Sequence, residues 1–439
     1  MFNPVSEPSF RLDVAGLPDA FEVLAFTGRE AISEPFVFDL ELLIDDPVLD
    51  LASLLYRPAS LHFGPAGSLV HGQLHELVQR DHASGPRLCQ VRLGPKLACL
   101  AQRFSQRIFS ARSVPQILDQ VLKEHGITGK DRRLELSGDH PPQDFCTQYR
   151  ESDLQFLQRL CAQERLHYYF EHRSNGHCVV FGDDQQHFRT GEPVLLRHEG
   201  DRPAVRQLER QRCTVTAAQH AECRTDLATL RSGRLMPLSG HPAADCNRLW
   251  LLTHVEHWGS QDAAMPYHNQ ARAVQWPTSF EPPLATVKPR MHSLQRAWVV
   301  EVDEPVPDPA RPVPVQFDWL YQGEGAAPSH CWLPLAGPLQ AETLSPLCEG
   351  TELVVSFIDG DPDQPQICGV LHAPTPIEVT GAAGLQPICT NDDGLEQWLR
   401  SSEPLLMLCL LPGGGSINHC AQALCTCRLA TQLGQSSGA

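Results

Sequence analysis

Near its end the sequence carries residue types that bind zinc in many proteins. One imidazole and three thiols come from His419, Cys420, Cys425 and Cys427. Such a set can complete a tetrahedral zinc site. The spacing of these residues is not that of a standard zinc finger or zinc ribbon. We therefore expect incidental thiols here, and the four residues stay only as a candidate metal site.

A second stretch, residues 250–257, contains His254 and His257 with Glu256 between them. A metalloprotease helix needs its two histidines four residues apart, with glutamate directly after the first. The separation here is three, and the stretch has the pattern of a strand. Positions 254 and 257 should then lie on opposite faces of the sheet, so we expect no metal pair.

The alternating residues Asp359, Asp361 and Asp363 resemble the first ligands of a calcium-binding loop. An EF-hand also needs glycine at its sixth position and glutamate at its twelfth, where this chain has Gln364 and Val370. The alternative is a tight turn between two strands, in which aspartates accept hydrogen bonds from backbone N–H groups. We expect the turn.

No catalytic motif is present in the sequence. There is no Gly-x-Ser-x-Gly elbow, no phosphate-binding Gly-x-x-x-x-Gly-Lys and no dinucleotide fingerprint. The 52 acidic residues offer no recognisable pair for sugar cleavage. We therefore predict a protein that is not an enzyme, without catalytic residues and without a cofactor.

The elements that position these residues include two helices. Each is expected to begin with a capping box, which is Ser113 with Gln116 in the first and Ser152 with Gln155 in the second. Apolar residues then recur at helical spacing. Helices are therefore expected near residues 113–125 and 152–165, and Gly126 should end the first in a left-handed conformation.

Much of the remaining chain has the alternation of half-buried strands, and its 37 prolines and 31 glycines indicate many turns. Strands are expected at residues 22–26, 36–42, 69–78, 88–93, 166–171, 178–181, 205–223 and 250–257. Residues 28–33 should connect the first two, and Asn175-Gly176 should form a hairpin turn. The fold class is mainly β with a few helices (α+β).

Five short strands follow a proline-rich linker at residues 277–290. They are expected at residues 298–302, 313–319, 331–336, 352–358 and 366–371. This number of strands in roughly 75 residues suits a small closed barrel of the OB type. We therefore divide the chain into a domain at 1–276, the linker, a barrel at 291–373 and a tail at 374–439.

The formal net charge of −17 argues against a nucleic-acid partner, which requires a basic face. The 16 cysteines are scattered over the whole chain, and residues 1–10 lack the features of a signal peptide. We expect reduced cytosolic thiols rather than a disulfide framework. No apolar run of about 18 residues occurs, so no membrane-spanning segment is expected.

Two runs of residues resemble the VgrG family, the tip proteins of bacterial type VI secretion systems, which are similar to the hub and spike proteins of contractile phage tails. The first run is Tyr149, Arg150, Glu151, Ser152 and Asp153, and the second is Asp359, Gly360, Asp361, Pro362 and Asp363. Further family-like motifs are spread over residues 20–373. The resemblance implies a domain of hub-like β-barrels followed by an OB-fold barrel.

The resemblance also implies a function. The protein would be a structural tip component that forms a homotrimer on a hexameric tube protein and carries an effector, an adaptor or a tip-capping protein. It would be made in the cytoplasm and exported by type VI secretion without a signal peptide. The alternatives are a delivered enzyme fused to a tip, such as a cell-wall hydrolase, and a degenerate relative without function.

Two departures from the family pattern are visible. Residues 183–235 hold fewer strands than the family has there, which predicts a deletion. Residues 374–439 contain no strand repeats of a β-helical spike, which predicts a short form. The apolar run at residues 405–411 is expected either to pack on a partner or to add a strand to its own barrel.

Overall fold

In a computed structural model of the chain, the structure describes residues 10–46, 49–64, 68–80, 87–173, 175–200, 202–212, 219–261, 266–277, 287–303, 305–320, 330–337, 339, 347–372, 407–411 and 415–419. The chain forms two compact units. The first unit comprises residues 1–104, 112–142 and 151–287, and the second comprises residues 105–111, 143–150 and 288–439.

Two α-helices and twenty-five strands are formed by the described residues. The helices are α1 (Val114–Glu124) and α2 (Asp153–Gln163). The first strands are β1 (Phe10–Val14), β2 (Phe21–Ala31), β3 (Glu34–Ile44), β4 (Pro58–Phe63), β5 (Ser68–Arg80), β6 (Arg87–Gly94), β7 (Phe104–Arg112), β8 (Arg132–Glu135), β9 (Gln143–Ser152), β10 (His167–Arg173), β11 (Gly176–Gly182), β12 (Arg189–Thr190) and β13 (Val194–Leu195). The others are β14 (Val205–Arg212), β15 (Gln219–Thr225), β16 (Arg234–Ser239), β17 (Leu249–Ser260), β18 (Tyr267–Gln275), β19 (Gln295–Val299), β20 (Val313–Phe317), β21 (Cys331–Leu333), β22 (Glu352–Phe357), β23 (Pro365–His372), β24 (Met407–Leu411) and β25 (Gly415–His419).

A closed barrel of six strands forms part of the first unit. The strands pair in the order β1-β4-β5-β6-β3-β2, and the pairing of β1 with β2 completes the ring. The sheet continues from β2 through β17, β18, β15 and β14, while β16 joins β17 to the short strands β12 and β13. Burial alternates along β3 because one face of the sheet lines the core. The mainly β fold class is confirmed.

Two glycines in these strands make room for phenylalanine rings of the neighbouring strand. Gly28 pairs with Phe38, and a β-carbon at position 28 would lie 2.2 Å from that ring. Gly259 pairs with Phe26 in the same way, and a β-carbon there would lie 2.1 Å from the ring. A side chain at either position would displace a buried ring.

Both helices form where the capping boxes predict them. In the first, Gln116 Oε1 accepts a hydrogen bond from Ser113 N–H at 3.0 Å. Gly126 follows the helix with a φ of 66°, so the left-handed end is confirmed. The second helix ends at Gln163, close to the predicted 165. The hairpin β10–β11 is also confirmed, and β8 adds to β11 in parallel.

The five predicted strands of the second unit form the expected barrel. They pair in the order β21-β20-β19-β22-β23. A parallel bridge between Leu335, just after β21, and Ile367 in β23 closes the ring. The interior is apolar, with Val315, Phe317 and Leu353 fully buried. A small closed five-stranded barrel is the architecture of the OB type.

The second unit also contains most of β7 and of β9, which pair with each other. Phe145 and Tyr149 of β9 belong to the same buried cluster as Phe317 of the barrel. The division expected at residue 276 therefore differs from the observed one, because segments 105–111 and 143–150 pack with the barrel. Amino-acid composition does not predict such a contact between segments that are distant in sequence. Most of the predicted linker, residues 278–286, lies outside the described residues.

Two other expectations need correction. The connection predicted at residues 28–33 consists only of Ile32 and Ser33. Gly28 lies within β2, where it makes room for the ring of Phe38 and does not form a turn. In the tail, β24 pairs with β25 among the described residues, not with a barrel strand. The remaining tail residues lie outside the described part of the chain.

Candidate functional site

The run Tyr149–Asp153 lies at the passage from β9 to α2, where the chain leaves the second unit after Arg150. Arg150 has a φ of 50°, a left-handed conformation that is uncommon for residues other than glycine. Ser152 then caps the helix: its hydroxyl accepts a hydrogen bond from Gln155 N–H at 3.2 Å, and Gln155 Oε1 accepts one from Ser152 N–H at 2.9 Å. The backbone of the run is thus held in one conformation.

The two acidic residues of this run are buried with cationic partners in the first unit. Glu151 accepts hydrogen bonds from Arg159 Nη2 at 2.6 Å and Arg159 Nε at 3.1 Å. Asp153 Oδ2 lies 2.5 Å from Arg103 Nε and 2.7 Å from His125 Nε2. Buried carboxylates with such partners fix neighbouring elements in place. This geometry leaves neither carboxylate poised to act as an acid or base on a substrate.

The second run, Asp359 to Asp363, connects β22 to β23. Asp359 and Gly360 have φ angles of 52° and 72°, and a β-carbon at Gly360 would lie 2.8 Å from His292 Nδ1. Asp361 Oδ1 accepts a hydrogen bond from Asp363 N–H at 2.9 Å. The predicted tight turn with a capping aspartate is confirmed.

This turn fastens β9 to the barrel within the second unit. Thr147 N–H donates to Asp363 Oδ1 at 2.5 Å, and Thr147 Oγ1 donates to the carbonyl oxygen of Pro362 at 2.8 Å. Lys288 Nζ lies 2.5 Å from Asp361 Oδ1 and 2.6 Å from Asp363 Oδ2. Burial opposes the charge of Lys288, but the two carboxylates prevail and raise its pKa. The cation between these carboxylates is therefore the lysine ammonium.

A buried network in the first unit was not anticipated from the sequence. Glu30 lies 3.5 Å from Arg231 Nε and 3.3 Å from His257 Nε2. Burial alone would raise the pKa of Glu30, but Arg231 and His257 outweigh it and lower the pKa to about 2. Burial lowers the pKa of His257, whose Nδ1 lies 2.7 Å from the hydroxyl of Tyr267. The long-range pairing of β2 with β17 brings Glu30 and His257 together.

The stretch at residues 250–257 forms part of β17, as expected. His257 is fully buried in the network with Glu30, whereas His254 is half-buried and lies 3.0 Å from Glu256. The two histidines occupy opposite faces, because they lie three positions apart in a strand. They do not converge on one metal position.

The tail candidates are only partly described. His419 ends β25, and Cys420, Cys425 and Cys427 lie outside the described residues. No group of three or more metal-binding side chains is formed by the described part of the chain. Within the same part, no helix is long and apolar enough to cross a bilayer.

The runs Tyr149–Asp153 and Asp359–Asp363 lie within a chain that matches a known family. The sequence model of the phage tail baseplate hub family (GPD) matches residues 29–218 and 195–263. These matches cover strands β3 to β6 of the closed barrel, both helices and strands β12 to β17, and they leave out β1, most of β2 and β18.

Individual relatives extend the match into the second unit. The chain is 35% identical to the type VI secretion system spike protein VgrG4b of Pseudomonas aeruginosa over 468 residues, which cover 86% of this chain and 58% of the relative. This chain therefore spans little more than half the length of that relative. Because 468 aligned positions exceed the 439 residues here, the relative also contains segments that this chain lacks.

Solved structures share the fold. The E. coli c3393 protein, described as a type VI secretion component with structural similarity to the T4 bacteriophage tail proteins gp27 and gp5, superposes with a TM-score of 0.70. Its identity is 23%, and the match covers 82% of this chain and 99% of that one. A chain of the half-lidded Francisella PdpA–VgrG complex superposes with a TM-score of 0.56 at 7% identity, and the match covers 95% of this chain and 84% of that one. The chain belongs to the phage tail baseplate hub family and is similar to the VgrG spike proteins of type VI secretion systems.

Proposed function

We propose that this protein is a non-enzymatic hub and tip component of a type VI contractile injection machine. In this proposal it acts as a homotrimer that sits on the hexameric tube protein and carries an effector, an adaptor or a tip cap. It is made in the cytoplasm and leaves the cell when the machine fires.

The observation that carries the proposal is the order of parts in one chain. A closed barrel with a continuing half-barrel sheet comes first, and an OB-type barrel follows. The c3393 protein has this arrangement over 99% of its length and is described as similar to two tail proteins of a phage. Together with 35% identity to a spike protein, this supports a structural role.

The buried charged groups support the same role. Glu30 lies beside Arg231, Glu151 beside Arg159 and Asp153 beside Arg103. A catalytic acid or base must face a substrate and exchange a proton near neutral pH. Buried carboxylates paired with arginine hold strands and helices together instead.

Partners follow from the relatives. A chain with this fold occurs in a Francisella complex of PdpA with VgrG, which supports a protein partner for this chain as well. The acidic net charge of −17 is compatible with a protein partner and unfavourable for a nucleic-acid one.

Binding to the tube tests the proposal. The purified protein is mixed with assembled tube protein from the same bacterium, and the tubes are sedimented and imaged by electron microscopy. We expect binding at one tube end in a fixed ratio of three subunits per hexameric ring. An unrelated protein of similar negative charge is the control.

Two results would contradict the proposal. The first is the absence of binding to tube ends, which would favour a degenerate relative. The second is hydrolysis of peptidoglycan that disappears on substitution of a single carboxylate, which would favour a delivered enzyme.

A further inference from the structure

A cavity of about 420 Å³ lies within the first unit, beside the hairpin β10–β11. Strand β5, the segment after β6 and the segment after α1 supply its other walls. Much of the lining is apolar and otherwise buried, and includes Leu97, Ile127, Phe170 and Val179. Small-molecule sites in proteins have this size and this mostly apolar lining, with a few polar groups that fix orientation.

The rim of the cavity is basic in a protein that is otherwise strongly acidic. The chain has only four lysines, and two of them, Lys96 and Lys130, line this cavity. One carboxylate, Asp131, lines it as well. The local balance is therefore one positive charge, against −17 for the whole chain. Such a local reversal of sign attracts an anion.

The two lysines differ in how they are held. Lys96 Nζ donates to the carbonyl oxygen of Gly126 at 2.7 Å, which fixes its ammonium at the rim. Lys130 is exposed and forms no ion pair with any described residue. Its charge is thus available to a ligand, while Lys96 has further ammonium protons to donate.

Two imidazoles, those of His71 and His177, and two side-chain amides also line the cavity. His177 Nε2 accepts a hydrogen bond from Lys96 N–H at 3.3 Å, and burial lowers the pKa of this histidine to about 4. The side chains of Gln73 and Asn175 also line the cavity. Hydrogen-bonding groups at the rim and apolar groups below it suit a ligand that has one charged end.

We propose that this cavity binds a carboxylate attached to an apolar body. The anionic group lies between Lys96 and Lys130, and the apolar part rests against Ile127, Phe170 and Val179. Two sources have this chemistry, a free aliphatic acid and the C-terminus of a peptide that ends in an apolar residue. The larger cavity of about 640 Å³ on the sheet is a poorer candidate, because its Arg92 is already paired with Asp39 and Glu76.

Isothermal titration calorimetry with four probes tests the proposal. Octanoate represents the free acid, and an N-acetylated Ala-Ala-Leu peptide represents the C-terminus. Octanamide and the C-terminal amide of the same peptide keep the apolar body but lack the charge. We expect at least one of the acids to bind, and both amides to bind at least about tenfold more weakly. The acid that binds identifies the source.

Variants place the binding at this cavity. Lys130→Glu should weaken binding of the acid by about tenfold or more, and more at low salt than at high salt. Lys123→Gln is the matched control, since Lys123 is exposed on α1, pairs with Asp119 and does not line the cavity. Both variants should melt like the parent, because neither residue is buried.

Three results would overturn the proposal. One is that neither acid binds. Another is that amides and acids bind equally well, which would indicate an apolar cavity without anion recognition. The last is that Lys130→Glu binds the acid as tightly as the parent protein does.

Discussion

The buried ion pair at the start of α2 allows the sharpest test of the fold. Arg159 is 2% exposed and Glu151 is 5% exposed, and two hydrogen bonds join them. Glu151→Gln removes the negative charge and leaves the guanidinium buried. Breaking one side of a buried pair costs about 3–5 kcal/mol, because the remaining charge has lost its partner but not its desolvation penalty.

A second variant, the double substitution Glu151→Leu with Arg159→Met, completes this test. Replacing both charges by apolar groups of similar size is often neutral or stabilising. We therefore expect the double variant to recover most of the stability that Glu151→Gln loses. The recovery would show that the pair secures geometry more than net stability.

The assay is urea unfolding followed by far-UV circular dichroism, analysed for the transition of the first unit. Glu34→Gln is the matched control, since its partner Arg29 is 3.2 Å away and the pair is exposed. That change should cost at most about 1 kcal/mol. If Glu151→Gln costs no more than Glu34→Gln, the pair is not buried in solution and the arrangement of β9 and α2 described here is wrong.

Three further predictions concern stability. Leu157→Ala should destabilise the first unit by about 2–5 kcal/mol, since this leucine is fully buried. Ser152→Ala should cost about 1 kcal/mol, because the helix loses its N-cap hydrogen bond. An unchanged urea midpoint for Leu157→Ala would contradict the packing of α2. Asp363→Ala should destabilise the second unit by about 1–3 kcal/mol, because Thr147 N–H and the Lys288 ammonium lose an acceptor. Asp359→Ala, at an exposed position of the same turn, should cost far less. Stability should fall as the pH drops from 6.5 towards 2. Desolvation lowers the pKa of the half-buried His172 to about 3, whereas the unfolded chain binds this proton near 6.5, and the carboxylate of Glu30, with a pKa lowered to about 2, is also protonated earlier in the unfolded chain. His172→Gln should flatten the upper part of this dependence, and an unchanged pH profile would argue against desolvation of that ring.

Local patterns in the sequence were sufficient to predict several helices and strands. The capping boxes at Ser113 and Ser152 predict both helices, since the hydrogen bonds involved join residues only three positions apart. Alternation predicts β2 and β3, because a strand with one buried face must repeat every second residue. The five barrel strands were located in the same way.

Long-range contacts explain what the sequence did not reveal. Strand β9 was not predicted, because Thr147 and Gln148 are polar yet fully buried. Their burial is tolerated because Thr147 bonds to Asp363 and Pro362, and Arg107 donates to Gln148 Oε1 at 2.8 Å. None of these partners is close in sequence. The pairing of Glu30 with His257 was hidden for the same reason.

The functional conclusion depended more on the resemblance to a known family than on the composition and periodicity of the sequence. The net charge argued against a nucleic-acid partner, and the periodicity of apolar residues predicted the fold class. The two family runs identified a hub protein, and the structure shows why they are built as they are. One run holds the start of α2, and the other fastens β9 to the barrel.

The assembly of the protein in solution tests the central claim most directly. Multi-angle light scattering on the purified protein at micromolar concentration gives its mass without a reference standard. A homotrimeric hub predicts a mass of three times 48.6 kDa that persists on dilution. A mass of one subunit across the same range would contradict the proposed trimer and, with it, the placement of this protein at the tip of the tube.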